Sequence, residues 1–363
     1  MKNSVKPFIG IVFSLVLTQF AMAQSQNQGK SKIHFGAYYF GGWTTSNNNV
    51  LLTKSLQDNY PERKPTWGWG VSSPEVMQSQ IDLAANAGLS FFSFCWYYSP
   101  NNGYKSNPLN KDLDYYLNSP NKKRLDFNLL VVNHSGFEIG PKDWKTLVDI
   151  WLSKFKDPQY VKVNGKPLIT FYSIQSLIKN FKTTQAIHQA LDSLRNASLK
   201  AGFTGVTIAG CVYPNSDLLA QAKECGFDIL TAYNFQGVGR KPNQMLIPID
   251  SLIAGSKRVW SKFQEAQMPI FPVITLNWDP RPWSAPGNQY AKSARYLGYS
   301  SQSVYKSAKA AIDWVNTHPQ QSTAEKLVLI YAWNEYGEGA WLTPSSSMKN
   351  SLLQSLKTAN DEQ

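Results

Sequence analysis

Residues 74–98 read Pro-Glu-Val-Met-Gln-Ser-Gln-Ile-Asp-Leu-Ala-Ala-Asn-Ala-Gly-Leu-Ser-Phe-Phe-Ser-Phe-Cys-Trp-Tyr-Tyr, and they contain the unit from which most of the chain is built. The stretch from Pro74 to Ala87 has helical period, Ala87-Gly88 stops it, and the aromatic run from Ser90 to Tyr98 follows at once as a strand. The same punctuation returns at Ala201-Gly202 and Cys225-Gly226, each just before a strand-like run. Strands are expected at Ile33 to Phe40, Ser90 to Tyr98, Asp126 to Asn133, Pro167 to Ser173, Gly205 to Val212, Phe227 to Phe235, Ile270 to Asn277 and Leu327 to Trp333. Helices are expected at Pro74 to Ala87, Lys142 to Phe155, Thr184 to Lys200, Ser216 to Glu224, Asp250 to Ala266 and Ser303 to Asn316, with Ser351 to Ala359 closing the chain. Eight such alternations predict a parallel sheet closed on itself, an α/β fold of the (β/α)8 TIM-barrel type in a single domain. A doubly wound open sheet is the alternative, but Gly36-Ala37-Tyr38 after the first strand lacks the GxGxxG spacing of a phosphate-binding turn. Gly41 to Ser73 is read as the first βα loop and Asp279 to Ser303 as the seventh.

Composition narrows the function. The 363 residues are 42% hydrophobic, 13% aromatic and 17% charged, which suits a packed core and not a disordered chain. Lys plus Arg number 36 against 24 Asp plus Glu, a formal charge of +12, which by itself points to acidic partners. The lysines are scattered, no run reaches five like charges, and 18 Tyr with 12 Trp do not suit a phosphate reader. Nucleic acid is therefore not expected as a partner, while an anionic glycan stays open. Lys2 and Lys6, the apolar stretch from Phe8 to Leu17 and then Ala21-Met22-Ala23 have the order of a secretory signal over residues 1–23. Cleavage is expected after Ala23, leaving residues 24–363 as the catalytic domain, secreted or periplasmic. About ten apolar residues fall short of the roughly 20 that a bilayer core needs, so no membrane attachment is expected after cleavage. Cys95, Cys211 and Cys225 are an odd count without CxxC spacing, which does not support a zinc site. Cys95 and Cys211 read as small buried hydrophobes, and a Cys211–Cys225 pair stays open.

In a barrel the chemistry gathers at the carboxyl ends of the strands. Going round, those ends offer Tyr38, Tyr39 and Trp43; Trp96, Tyr97 and Tyr98; Asn133 and His134; Tyr172; Tyr213; Tyr233 and Asn234; Asn277, Trp278 and Asp279; and Trp333, Asn334 and Glu335. Aromatic faces stack on the C–H faces of sugar rings, and amides and carboxylates pair with hydroxyls, so this rim reads as a carbohydrate cleft, although single aromatics can equally cap the barrel core. The expected substrate-binding residues are Tyr38, Tyr39, Trp43, Trp96, His134, Tyr233, Asn277, Asp279, Trp333 and Asn334. Asp279 either binds a hydroxyl or pairs with Arg281, and His134 either contacts sugar or is structural. Asp126 and Asp228 open strands at the opposite end and read as structural. No GxSxG elbow supports Ser-His-Asp catalysis.

The sharpest local signal is Tyr331-Ala332-Trp333-Asn334-Glu335-Tyr336-Gly337-Glu338-Gly339, two carboxylates three residues apart where the eighth strand gives way to its loop. Paired carboxylates are what glycosidic bond cleavage needs, so Glu335 and Glu338 are the expected catalytic residues, and neither a metal nor an organic cofactor is called for. Here the chain resembles glycoside hydrolase family 99 with its WbsX-like relatives. Further likeness lies in Gly36-Ala37-Tyr38-Tyr39-Phe40 followed by Trp43, the Gln80 to Gly88 segment leading into Phe92-Ser93-Phe94, Asn164-Gly165-Lys166-Pro167, and Asn277-Trp278-Asp279-Pro280-Arg281. The resemblance implies an endo-acting α-mannosidase barrel in which Glu335 is base on the sugar 2-hydroxyl and Glu338 is acid/base on the leaving oxygen. Tyr336 and Gly337 depart from that family's Asn-Glu-Trp-x-Glu-Gly signature. Spacing and resemblance together lead to an expected retaining hydrolysis of α-manno-configured glycan. A WbsX-like glycosyltransferase of polysaccharide assembly and a non-catalytic glycan-binding barrel are the alternatives, since related barrels host different functions.

Overall fold

The computed structural model describes residues 1, 32–43, 51–100, 107–284 and 289–363. The expected signal segment and its cleavage point after Ala23 lie outside the described residues. Eight parallel strands form the barrel: β1 (His34–Tyr39), β2 (Leu89–Tyr97), β3 (Asp126–Val132), β4 (Lys166–Phe171), β5 (Thr207–Cys211), β6 (Ile229–Thr231), β7 (Val273–Thr275) and β8 (Leu327–Tyr331). They neighbour one another in the order β6-β5-β4-β3-β2-β1-β8-β7. A parallel bridge between Leu230 and Ile270 joins the two ends of that order, with the Leu230 N–H donating to the Pro269 carbonyl and the Phe271 N–H to the Leu230 carbonyl, both at 3.0 Å. Several apolar runs outlast their ladders because their side chains stay buried in the barrel mouth; Ala232 and Phe235 beyond β6 are 5% and 1% exposed.

The helices α1 (Pro74–Asn86), α2 (Pro141–Phe155), α3 (Thr184–Lys200), α4 (Ser216–Glu224), α5 (Ile249–Lys262), α6 (Ser301–Thr317) and α7 (Ser351–Asp361) follow the expected spans. The side chains of Ser73, Thr183 and Asn215 cap α1, α3 and α4 by accepting the N–H groups of Val76, Ala186 and Leu218. Three short helices, Lys54–Asn59, Lys111–Leu117 and Ile174–Phe181, add to the expected ones, the first of them within the stretch read as the first βα loop. The seventh loop holds a strand, Arg295–Leu297, paired with Leu246–Pro248. At the amino end of the strands Asp228 accepts from the Ile208 N–H at 2.8 Å and from Arg195 at 2.9 Å, a structural tie. Cys211 and Cys225 do not pair; all three cysteines are free and buried.

Alternation along each strand decides what reaches the barrel interior. On β2, Phe94 packs on Tyr116 and Trp96 on Trp151 of α2, both outside the sheet, whereas Cys95 and Tyr97 face the cleft described below.

Candidate active site

Beyond β8 the chain makes a small hairpin. Asn334 and Glu335 pair with Trp341 and Ala340, and Tyr336–Glu338 form one 3₁₀ turn between them. Side chains three apart eclipse in such a turn, so the spacing of Glu335 and Glu338 sends both carboxylates to one side, where they line the same cleft. Gly339 closes the turn with φ of +74°, in the left-handed region that favours glycine.

The hairpin is held from behind by long-range hydrogen bonds. Asn334 gives its amide N–H to the Phe40 carbonyl and takes the Phe40 N–H on its amide oxygen, both at 2.8 Å. Trp43 Nε1 donates to the Asn334 carbonyl at 2.7 Å, Arg63 to the Tyr336 carbonyl at 3.0 Å, the Asp279 N–H to the Glu338 carbonyl at 2.7 Å, and Asn277 to the Gly339 carbonyl at 2.7 Å. Arg63, 3% exposed, also reaches the Asp279 carboxylate at 2.6 Å and its carbonyl at 3.1 Å. Arg281 binds the same carboxylate through Nε at 2.7 Å and Nη2 at 2.8 Å. Burial would raise the Asp279 pKa, but the Arg281 hydrogen bonds and the Arg63 charge outweigh it and hold the carboxyl below its ordinary value.

Two tyrosines hold the carboxylates. Tyr233 donates to Glu335 Oε1 at 2.5 Å and Tyr331 donates to Glu338, and the two rings meet edge to face at 4.9 Å. Burial raises Glu335 to about 7, with the Tyr233 hydrogen bond opposing the rise, and burial raises Glu338 to about 8. Both carboxyls thus keep their protons well above the ordinary carboxylate range. The cleft holds about 410 Å³, walled by Tyr97, His134, Phe137, Tyr172, Tyr233, Trp283 and Tyr290 around the two glutamates.

Of the residues expected to bind substrate, Tyr233 and His134 line this cleft with Glu335 and Glu338. Trp43, Asn277, Asp279 and Asn334 instead fasten the hairpin, and Asp279 spends both oxygens on arginines. Tyr38 lies beneath Tyr233, its ring 5.0 Å away and its hydroxyl on the Ala232 carbonyl. Tyr39, Trp96 and Trp333 face away from the cleft: Tyr39 packs on Phe92 and Phe94, Trp96 on Trp151, and Trp333 donates to Gln80 of α1 at 2.6 Å. Tyr97, which does line the cleft, is separable from Trp96 only by strand alternation, Tyr172 stands just past the end of β4, and Arg63, Phe137, Trp283 and Tyr290 come from loops that carry no local signal. Among the described residues no three His, Cys, Asp or Glu side chains gather as a metal site.

A Cβ on Gly337 would lie 2.1 Å from Trp283 Cζ2, and that indole in turn stacks on Trp43 at 6.2 Å and 11°. Gly337→Ala must therefore move a cleft wall, and it is expected to cost about 1–3 kcal/mol of stability with a matching fall in turnover. Urea unfolding and kcat measured on the same preparation check this; an unchanged kcat would show that Trp283 yields freely.

A closed (β/α)8 barrel with two buried carboxylates in an aromatic cleft at the carboxyl ends of its strands has a glycoside-hydrolase-like fold. Over residues 37–356 the chain matches the glycosyltransferase WbsX family, and it belongs to that family. No curated protein matches it. Among solved structures, the family 99 endo-α-mannosidase of Bacteroides thetaiotaomicron is similar at 14% identity and a TM-score of 0.63, covering 91% of this chain and 97% of that one. A glycoside hydrolase-like protein is similar at 16% identity and 0.65, covering 92% and 94%. A family 5 enzyme of Streptomyces cattleya solved with GlcNAc is similar at 12% and 0.54, covering 92% and 81%. At these identities the likeness is one of fold.

Proposed function

We propose that the protein is an exported glycoside hydrolase that cleaves α-linked, α-manno-configured glycan with retention, Glu335 acting as base and Glu338 as acid/base. The observation that carries this reading is the pair of buried carboxylates on one side of one short turn, each held by its own tyrosine. Carboxylates that approach from a single side poorly suit a nucleophile and an acid on opposite faces of the sugar. They suit Glu335 taking the proton of the 2-hydroxyl while that oxygen attacks the anomeric carbon and Glu338 protonates the departing oxygen. Water then opens the resulting 1,2-anhydro sugar at the anomeric carbon, giving its proton to the Glu338 carboxylate as Glu335 returns its own to the 2-oxygen. Attack by the 2-oxygen needs it trans to the leaving group, as in an α-manno sugar. Hydroxyls of the substrate would meet His134 and Tyr97, and ring faces Tyr172 and Phe137.

The family's description favours a second reading, glycosyl transfer. The secretory order of residues 1–23 supports degradation, since a nucleotide-sugar donor belongs inside the cell. Incubation with α-mannan, α-glucan and acidic polysaccharides, followed by product chromatography and proton NMR of the fresh product, tests both. The expected result is cleavage of an α-mannan with the α-anomer formed first. Initial formation of the β-anomer, or transfer from a nucleotide sugar without hydrolysis, would overturn it.

A further inference from the structure

Tyr172 and Tyr233, their rings 5.1 Å apart, stand between the carboxylate cleft and a second hollow of about 210 Å³ that shares both residues. The second hollow sits over the carboxyl ends of β4, β5 and β6, and its far rim is Tyr213. Tyr213 is 53% exposed and Tyr290 is 42% exposed; among the described Trp, Tyr and Phe residues only these two are exposed, and each borders one of the two hollows. The two most exposed of the described aromatic rings thus border adjoining cavities, the placement of a binding surface and not of scattered exposure. Ser173, Gln175 and Asn234 line the same hollow as Tyr213 and carry a hydroxyl and two amides, the Ser173 hydroxyl also accepting from the Ser176 N–H. An open ring face flanked by neutral donors and acceptors matches a sugar residue, whose C–H face stacks while its hydroxyls pair.

We propose that this hollow is an accessory sugar subsite, continuous with the carboxylate cleft, in which a further residue of the same glycan chain stacks on Tyr213. The proposal rests on the glycan reading above and extends it: the substrate is an oligosaccharide long enough to pass the Tyr172–Tyr233 wall, not a single sugar on a small aglycone. Tyr233 touches both compartments and holds Glu335, so a chain seated in the hollow packs against the residue that positions the base. Among the described residues no hydrogen bond or ring pair joins Tyr213 to Tyr233, Tyr331 or either glutamate, and its side chain is open to solvent, so its truncation is expected to leave the barrel intact.

The test is calorimetric titration of the full chain carrying Glu338→Gln, with and without Tyr213→Ala, against size-fractionated ladders of one to six sugars cut from α-mannan, α-glucan and an acidic polysaccharide. Cleavage by the unmutated chain is followed in parallel. On the ladder that binds, affinity is expected to rise about tenfold once the oligosaccharide is long enough to reach Tyr213, and Tyr213→Ala is expected to remove about fivefold of that gain while leaving the shortest binding member unchanged. Affinity independent of length, or equal loss on short and long members, overturns the subsite, and continued cleavage by the unmutated chain would then leave the hydrolase reading standing. A Tyr213-dependent length effect without cleavage would keep the subsite and remove the hydrolase. Absence of binding on every ladder overturns both.

Discussion

Replacing Glu338 or Glu335 by glutamine is expected to lower kcat by several orders of magnitude, drawing on an acid/base contribution of roughly 10² to 10⁴-fold at each position. The two losses differ in kind. A substrate with a good leaving group needs no protonation at the departing oxygen, so it should recover much of the rate of Glu338→Gln and none of that of Glu335→Gln. The pH profile follows from the same two groups: on the proposed scheme turnover requires Glu335 without its proton and Glu338 with it. Burial places these transitions at about 7 and about 8, so the rate rises as pH passes 7 and falls beyond 8, a narrow bell. Glu338→Gln should lose the alkaline limb and Glu335→Gln the acid limb. Stability moves separately. Both folded-state pKa values lie above those of glutamates in an unfolded chain, so the folded form binds more protons and the parent loses stability as pH rises from the ordinary glutamate range through 8. Each glutamine variant should lose less, which shows by thermal unfolding that the missing activity is not missing fold. A sugar ester trapped on Glu335 would contradict the scheme and restore a direct carboxylate nucleophile.

Arg63→Met is the second large effect. This guanidinium is 3% exposed, bridges the first loop to the seventh and to the carboxylate hairpin, and lies over the Tyr60 ring at 4.4 Å. Its removal leaves Asp279 buried with Arg281 alone and leaves the Tyr336 carbonyl without that donor. Breaking a buried pair from one side typically costs about 3–5 kcal/mol, because the remaining charge keeps its desolvation penalty. The hairpin loses a fixed point at the same time, so kcat should fall together with the urea midpoint. Arg63→Lys keeps the charge but cannot fork to two acceptors, and should restore little. A variant as stable and as active as the parent would show that Asp279 and Arg281 hold the hairpin unaided.

The eight strands and their helices were legible because apolar runs and helix stops are local signals, and the Glu335–Glu338 spacing was legible because a single turn carries it. What escaped was orientation and distance. Trp96 and Tyr97 are neighbours of the same chemical type at the end of β2, yet one packs on α2 and the other faces the glutamates, since side chains alternate across a strand. Tyr39 is displaced from the cleft in the same way, whereas Trp333 lies past the end of β8 and shares the parity of the inward Tyr331, so alternation does not place it. Arg63 escaped for a different reason: it looks like any loop arginine until the fold brings Asp279, 216 positions away, against it. Asp279 beside Arg281 admitted two readings, and the structure shows the ion pair.

Asn334 has a consequence for which residues can precede Glu335. Its side chain meets the Phe40 peptide with one donor and one acceptor, so a primary amide stands in for a missing backbone group and adds a last rung to the β1–β8 ladder after the main chain has turned away. That rung has a polarity. Aspartate, of the same shape, would set an oxygen against the Phe40 carbonyl; leucine, of similar bulk, would leave both Phe40 groups without their partner. The amide is thus a template of fixed sense at the point where a sheet becomes the carboxylate hairpin, and it gives the dipeptide Asn334-Glu335 a grammar in which the first residue states where the second must stand.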